Sequence, residues 1–206
     1  MKTPADGFKR ILEVLDRLEI PYFVGGSMAS SLHGIARPTM DVDLVADIRP
    51  DQVEEFADQL KSDLYADPEM MREALRRGRS FNLIHYDSSY KYDIFPLLRD
   101  EYSQTQFRRR QFEETKSLGD EPIECAVATA EDTILNKLRW YRAGGETSER
   151  QWNDLRGILQ ISGARLDLGY LHSWAPHLGV ADLLERLLGE EPPAARPPAP
   201  PDRMVT

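Results

Sequence analysis

Apolar side chains recur at two different spacings along this chain, and each spacing predicts a kind of element. Near the start, five apolar residues recur at helical spacing, which predicts an amphipathic helix over residues 4–19 with Thr3 as its N-cap. These five are Phe8, Ile11, Leu12, Leu15 and Leu18. The same spacing predicts further helices over residues 27–33, 50–64, 68–77, 131–142, 148–161, 168–175 and 180–188.

Short apolar or alternating runs predict the strands. They cover residues 22–24, 41–45, 81–86 and 92–95, followed by a pair near 111–117 and 122–127. Strands and helices therefore mix in the first two-thirds of the chain, whereas the last third is helical. This order predicts an α/β (α+β) fold in which a mixed, twisted sheet is flanked by helices and is followed by a C-terminal helical part.

The same pattern divides the chain into three predicted segments. Residues 1–128 form the α/β core, and residues 129–188 form the helical part. Residues 189–206 contain six prolines in eighteen positions, and this composition predicts a disordered or polyproline-like tail.

Composition places the chain among soluble globular proteins, since 41% of its 206 residues are apolar and 30% are charged. We find neither a signal peptide nor an apolar run long enough to span a bilayer, so we expect a cytoplasmic protein with no membrane partner. The single cysteine, Cys125, suits a reducing compartment. Its place in the apolar segment ECAVA predicts a buried structural thiol.

The net charge of −9 argues against broad, charge-driven binding of nucleic acid. Two local clusters of arginine stand out against this acidic background. They are Arg72, Arg76, Arg77 and Arg79, and then Arg108, Arg109 and Arg110. Each cluster is either a solvated face or a guide for a polyanionic acceptor such as RNA.

Residues 25–43 combine a glycine turn with two carboxylates. Gly25 and Gly26 have no β-carbon, so a phosphate can approach their backbone closely, and the predicted helix that follows directs free N–H groups at that phosphate. Ser27 adds a hydroxyl donor. Asp41 and Asp43 lie two positions apart on a predicted strand, so they share a face and form the hard oxygen pair that magnesium prefers.

A third carboxylate, Asp93, lies in the apolar segment YKYDIF, where an unpaired charge would be costly. It is best explained if it faces a metal ion or another cation. Three carboxylates on neighbouring strands would repel one another without cations between them. The pattern therefore indicates a phosphoryl-transfer site that uses two metal ions.

The segments GGS, RPTMDVDLV and YDIF together resemble the nucleotidyltransferase superfamily, which shares its palm-like core with DNA polymerase β. The shared pattern is a Gly-Ser pair, a gap of roughly a dozen residues, an acid-x-acid strand and a later single acid on a strand. Within the superfamily the chain is most similar to small bacterial proteins that include abortive-infection-type toxins. EDTILNKLRWY and QWNDLRGIL are similar to the lysine motif and the final aspartate motif of those proteins.

The resemblance implies a role for each matching residue. Asp41 and Asp43 would bind Mg²⁺, or Mn²⁺ in its place, and Asp93 would complete the site as a ligand or as the base that activates an acceptor hydroxyl.

The resemblance also assigns the residues that would hold the nucleotide. The turn Gly25–Ser27 would hold the triphosphate, and Arg37 and Thr39 would lie over the nucleotide. Lys137 would contact phosphate, and Asp154 would orient either Lys137 or the acceptor.

Some of these residues also have structural explanations. Arg37 could pair with Asp41 or Asp47, and Lys137 and Arg142 could line the surface of a helix.

The aromatic residues and histidines have simpler expected roles. Three tryptophans recur in the helical part and are most simply its core: Trp140, Trp152 and Trp174. His33 is expected to pack beside Met28. The other histidines show no spacing typical of metal ligands; they are His85, His172 and His177.

The resemblance implies transfer of a nucleotide from a nucleoside triphosphate to an acceptor hydroxyl, with release of pyrophosphate. The acceptor could be an RNA end, a protein or a small hydroxylated molecule such as an aminoglycoside. A toxin controlled by an antitoxin protein is one expectation, and a catalytically silent module that binds a nucleotide or a partner is the alternative.

Overall fold

The structure is a computed structural model that describes residues 2–39 and 41–190. Its strands form one mixed sheet. They are β1 (Tyr22–Val24), β2 (Asp41–Ala46), β3 (Leu64–Tyr65), β4 (Phe81–His85), β5 (Lys91–Pro96), β6 (Gln111–Thr115) and β7 (Ile123–Val127). Their order across the sheet is β3-β4-β5-β2-β1-β7-β6, so β2 is the central strand.

The helices flank this sheet and then continue beyond it. They are α1 (Pro4–Arg17), α2 (Gly26–His33), α3 (Val53–Leu60), α4 (Pro68–Arg77), α5 (Glu101–Arg109), α6 (Ala130–Ala143), α7 (Glu149–Ser162), α8 (Leu168–His177) and α9 (Ala181–Gly189). The predicted fold class, a mixed sheet with flanking helices and a helical C-terminal part, is confirmed. None of the helices within these described ranges has the length and apolar character needed to cross a bilayer.

The central strand pairs in two directions. β2 runs antiparallel to β1 and parallel to β5, and the pairing with β5 places Asp43 level with Asp93 and Asp41 level with Lys91. Val42 and Leu44 point to the other face and are fully buried, as the alternation of the strand predicts.

Two hydrophobic clusters hold the fold together. The first contains α1, the sheet and α3, and it ends at Ala128. The second contains the buried faces of α6 to α9, from Ile134 to Leu187, together with Tyr102 of α5. Burial of apolar area on this scale is the main stabilising contribution in a domain of this size.

The prediction differs from the structure at two elements. The helix predicted over residues 50–64 is a short 3-10 turn followed by α3, and the chain then forms β3 at Leu64–Tyr65. The helix α5 was absent from the prediction. It has no long apolar stripe, because its buried side chains are only Tyr102 and Gln106, and it begins where the Asp100 carboxylate accepts a hydrogen bond from the Ser103 N–H.

The predicted tryptophan core is only partly correct. Trp152 is buried, but Trp140 is 60% exposed. Cys125 is buried as predicted, and burial raises the pKa of its thiol to about 12. Of the predicted tail, residues 191–206 lie outside the described part of the chain, and α9 extends through Gly189.

Candidate active site

The predicted carboxylates lie on two neighbouring strands. Asp41 and Asp43 alternate with the buried residues of β2, and Asp93 lies on β5 at the register position of Asp43. In parallel strands, residues at matching register point to the same face. The sheet therefore brings these three residues together on one face.

The surroundings of Asp43 disfavour its negative charge. Burial, and after it the neighbouring carboxylates of Asp41 and Asp93, raise its pKa to about 6 against an opposing effect of Lys137. A divalent cation would relieve both the repulsion and the cost of burial. The rise in pKa is thus an electrostatic reason to expect a cation here.

Asp93 has neighbours that the sequence analysis did not include. Lys91 Nζ lies 2.8 Å from an Asp93 oxygen, and Asn82 Nδ2 contacts the other oxygen. Both neighbours follow from strand geometry, since Lys91 is two positions before Asp93 on β5 and Asn82 is its register partner on β4. The alternation of YKYD could have indicated Lys91, whereas Asn82 needed the strand pairing.

The fold provides few donor atoms for a metal ion near the glycine turn. Within residues 2–39 and 41–190, no group of three or more histidine, cysteine, aspartate or glutamate side chains is arranged to hold a metal ion. Asp41 and Asp43 still provide the hard oxygen donors that suit Mg²⁺, which takes one or two carboxylates and completes its shell with water and phosphate oxygens. Thr39 Oγ1 donates to Asp41 Oδ1 at 3.0 Å and so fixes that carboxylate. The donor set fits magnesium through this pair.

The glycine turn lies directly against Asp43. Gly25 N–H donates to the Asp43 carbonyl oxygen at 2.9 Å, and the backbone of Ser27 acts to lower the pKa of the Asp43 carboxylate. Gly26 has a φ of +55°, and a β-carbon there would lie 1.7 Å from Asp43 Oδ2. Position 26 therefore requires glycine, and the requirement comes from the carboxylate beside it as well as from the backbone.

Arg37, Lys137 and Asp154 form a compact ionic cluster. Arg37 donates from Nε and Nη2 to the two Asp154 oxygens at 2.7 and 2.8 Å, and Lys137 Nζ donates to Asp154 Oδ2 at 2.8 Å. Arg37 Nη2 also donates to Ser27 Oγ at 2.8 Å. The cluster thereby connects the helical part of the chain to the glycine turn.

These contacts shift the pKa of each group in the cluster. The hydrogen bond to Asp154 raises the pKa of Arg37. Burial lowers the pKa of Lys137, although its bond to Asp154 opposes the change. Burial alone would raise the pKa of Asp154, but its bonds from Arg37 and Lys137 reverse this and lower it.

Arg37 and Lys137 differ from their predicted structural roles. Arg37 pairs with Asp154, whereas Asp47 pairs with Arg99, so the predicted partners of Arg37 are wrong. Lys137 is only 7% exposed, so it does not line a helix surface. Arg142 does, and it pairs with exposed residues there.

The arginine clusters and His33 also have identifiable neighbours. Arg76 and Arg77 pair with Glu73 on the surface of α4, and Arg109 pairs with the buried Glu131. The ring of His33 is within hydrogen-bond distance of the Ala128 carbonyl oxygen, at 2.6 Å.

A cleft of about 600 Å³ opens beside the glycine turn. Five of the predicted site residues line it: Gly25, Gly26, Ser27, Asp43 and Lys137. Of the other five, Arg37 donates to Ser27 and Asp154 accepts from Lys137. Asp41 and Asp93 share the sheet face of Asp43, and Thr39 donates to Asp41. Its volume lies in the usual range for small-molecule and cofactor sites.

The cleft also contains residues that the sequence analysis missed. Trp140, Gln106 and Gln151 line its walls. The apolar period of α6 includes Ile134, Leu138 and Tyr141 and leaves out Trp140, so that period could have shown that Trp140 faces away from the core. Nothing local in the sequence indicates the two glutamines.

The chain can be compared with known proteins. No family model matches the chain, and no curated protein matches it. The antibiotic-resistance factor ANT(2'')-Ia matches over 88% of this chain and 96% of its own length, with 14% identity and a TM-score of 0.52. A nucleotidyltransferase-like protein from Paracoccidioides brasiliensis matches over 87% and 93%, with 15% identity and a TM-score of 0.47.

The lincosamide antibiotic adenylyltransferase LnuA, in a lincomycin-bound structure, matches over 78% of this chain and 99% of its own length, with 13% identity and a TM-score of 0.49. At such low identity the similarity concerns the architecture, and ANT(2'')-Ia is the match that supports it. The mixed sheet with its glycine turn and flanking helices is therefore the nucleotidyltransferase fold.

Proposed function

We propose that this protein is a metal-dependent nucleotidyltransferase, which transfers a nucleoside monophosphate from a nucleoside triphosphate to an acceptor hydroxyl. The acceptor oxygen forms a bond to the α-phosphorus, and the bond from that phosphorus to the pyrophosphate oxygen breaks. The hydroxyl proton passes to a base, and pyrophosphate leaves. The likeness in fold to ANT(2'')-Ia is consistent with this class of reaction.

One observation carries the proposal. The buried carboxylate of Asp43, beside two further carboxylates, faces the glycine turn so closely that position 26 has no room for a β-carbon. A structural ion pair has no need for three like charges on one face of a sheet. A site that receives a cation and a phosphate chain does need them.

The three carboxylates would have different roles in the reaction. Asp41 and Asp43 would hold Mg²⁺ or Mn²⁺, and a bound ion of this kind would neutralise charge on the phosphate oxygens. Asp93, held in place by Lys91 and Asn82, would accept the proton of the acceptor hydroxyl.

The phosphate chain would bind between the sheet and the helices. The backbone of Gly25 faces open space, which leaves room for a phosphate. Lys137 would bind a phosphate oxygen from the opposite wall, and Asp154 and Arg37 would keep its ammonium group in position. Catalysis would then rest on positioning and on stabilisation of charge.

A transfer assay tests the proposal. The purified protein is incubated with each of the four α-labelled nucleoside triphosphates, with Mg²⁺ or Mn²⁺, and with RNA, protein and small hydroxylated acceptors. Label transfer and pyrophosphate release are measured. We expect Asp43→Asn to lower the rate by a factor of roughly a hundred or more, as the loss of one essential charged group does.

The matched control is Asp47→Asn. Asp47 follows the same strand, but it forms an ion pair with Arg99 outside the cleft, so its loss should leave the rate unchanged. Equal rates for wild type and Asp43→Asn would overturn the proposal. Nucleotide binding without any pyrophosphate release would show instead that the protein is a silent binding module.

A further inference from the structure

The cleft continues beyond Lys137 into a part with a different chemical character. Its walls there are formed by Phe95, Leu97, Leu98, Trp140 and Ala143. The end beside the glycine turn is polar, with backbone amides, a carboxylate and an ammonium group. A ligand that fills both ends must therefore be highly charged at one end and apolar at the other.

Trp140 is the most prominent side chain of this apolar part. It lies three positions after Lys137 on α6, so both side chains project from one face of the helix, about 4.5 Å apart along its axis. Its indole is 60% exposed, although it lines a concave surface. A large aromatic ring with a free face in a cleft is a platform on which a flat ring can stack.

Two glutamines on the same cleft have polar atoms without a partner. Gln106 is only 6% exposed, and its Nε2 lacks a hydrogen-bond acceptor among the described residues. Within the same part of the chain, Gln151 Oε1 is buried and lacks a donor. Buried polar groups without partners are costly, so they are expected where a ligand supplies the missing hydrogen bonds.

These features together describe a flat heteroaromatic ligand. A nucleobase has a π face that can stack on the indole, acceptor atoms for the amide of Gln106, and, on most bases, an N–H for Gln151. A polycationic aminoglycoside fits less well, because Asp43 is the only carboxylate among the lining residues that the structure describes, whereas Lys137 and Arg139 are cations.

We propose that this apolar part, together with Gln106 and Gln151 of the same cleft, is the subsite for the nucleobase of the donor nucleotide. The proposal rests on the proposed function, which places the triphosphate at Gly25–Ser27 and Lys137. The base stacks on Trp140, and its edge bonds to Gln106 and Gln151. The acceptor then enters from outside this part of the cleft.

Calorimetric titration can distinguish the contribution of the base to binding affinity from that of the phosphates. The full chain is titrated, in the presence of Mg²⁺, with non-hydrolysable analogues of the four nucleoside triphosphates and with inorganic tripolyphosphate. Trp140→Ala should weaken binding of the nucleotides about tenfold, as loss of one stacking partner does, and should leave tripolyphosphate binding unchanged. Trp140→Phe should retain most of the nucleotide affinity.

Two further variants sharpen the test. Phe112→Ala removes a comparably accessible aromatic ring, 69% exposed on the edge strand β6, and should change neither affinity. Gln106→Leu should raise the unfolding midpoint, because it removes an unpaired buried amide, and yet it should weaken nucleotide binding. If Gln106 had a purely structural role, a substitution that stabilises the fold would not be expected to weaken nucleotide binding.

The outcomes distinguish this proposal from the one it rests on. If wild type and Trp140→Ala bind nucleotides equally well, the nucleobase subsite is refuted while the transferase proposal stands, and the apolar part is then available to the acceptor. If Trp140→Ala loses tripolyphosphate affinity to the same extent, the effect is structural and the subsite is also refuted. If the wild type binds no nucleotide, both proposals fail.

Discussion

Replacement of Asp154 by asparagine tests the ionic cluster that joins the helices to the glycine turn. Asp154 accepts two hydrogen bonds from Arg37 and one from Lys137, and its side chain is 7% exposed. Asparagine keeps the shape but removes the charge. Its amide would also bring N–H donors toward two cations, which donate and cannot accept.

The size of the effect follows from burial. Removal of one partner from a buried ion pair costs about 3 to 5 kcal/mol, because the remaining charge loses its compensation. Lys137 is the residue that would lose most, since Arg37 keeps its bond to Ser27 and is more exposed. We therefore expect Asp154→Asn to lower the free energy of unfolding by about 3 kcal/mol at pH 7.

The loss of unfolding free energy caused by Asp154→Asn should become smaller as pH rises. In the wild type, burial lowers the pKa of Lys137 while Asp154 opposes the change. Without Asp154 the pKa falls further, so Lys137 becomes neutral in the folded variant at a pH where the unfolded chain still binds the proton. Stability rises with pH wherever the unfolded state binds more protons. The difference in the free energy of unfolding between wild type and Asp154→Asn should therefore decrease from pH 7 to pH 10.

Urea unfolding at several pH values measures these differences. Asp182→Asn is the matched control, because Asp182 also pairs with an arginine on the helical part but lies at the surface, and its loss should have no measurable effect. Lys137→Met in the Asp154→Asn background should recover stability, since it removes the uncompensated charge. The reasoning is refuted if Asp154→Asn costs no more than the control, or if the double variant is less stable than Asp154→Asn.

The remaining predictions concern the turn, the carboxylates and the cell. Asp43→Asn should stabilise the metal-free protein by about 3 kcal/mol at pH 8 and little at pH 4, because the pKa of Asp43 lies at about 6 instead of 3.8 and its ionised carboxylate costs stability as pH rises through that window. Urea unfolding in EDTA measures this difference. Addition of Mg²⁺ should raise the melting temperature of the wild type but not of the variant. Gly26→Ala should destabilise the fold and abolish transfer, since its β-carbon would overlap Asp43, whereas Gly25→Ala has free space and should leave the melting temperature unchanged. If the protein is a toxin, as the resemblance of EDTILNKL and NDLRGIL led us to expect, induced expression should arrest growth and Asp43→Asn should not; growth in both cases would contradict a toxin role.

Residues that lie close in sequence made much of the fold and the site predictable. The glycine turn and the DVD strand are a single run of residues, so spacing alone indicates which carboxylates share a face. The spacing of apolar residues along the chain likewise predicts a mixed sheet with a helical part after it. The fold is confirmed, whereas the catalytic and metal-binding roles of Asp41, Asp43 and Asp93 stay predictions.

The parts that could not be predicted depend on contacts between distant residues. Arg37 and Asp154 are 117 positions apart, and no local pattern indicates that they pair. Asn82 reaches Asp93 only through the pairing of β4 with β5. The helix α5 was missed because its buried face contains Gln106 where an amphipathic helix usually has an apolar residue. The Nε2 atom of Gln106 lacks a hydrogen-bond partner among the described residues.

The position of Lys137 depends on how the helical part packs against the sheet. The end of α2 and the middle of α7 approach so closely that a β-carbon at Gly34 would lie 2.7 Å from the Ile158 backbone nitrogen. Because α7 also holds Asp154, this close packing sets where Asp154 meets Arg37 and Lys137. The carboxylates of the sheet and the ammonium group of Lys137 thus come from different parts of the chain, and the close packing at Gly34 together with the hydrogen bonds of Asp154 sets their relative position. A substrate that bridges the two groups would stabilise the same packing, so nucleotide binding and stability of the helical part should be thermodynamically linked.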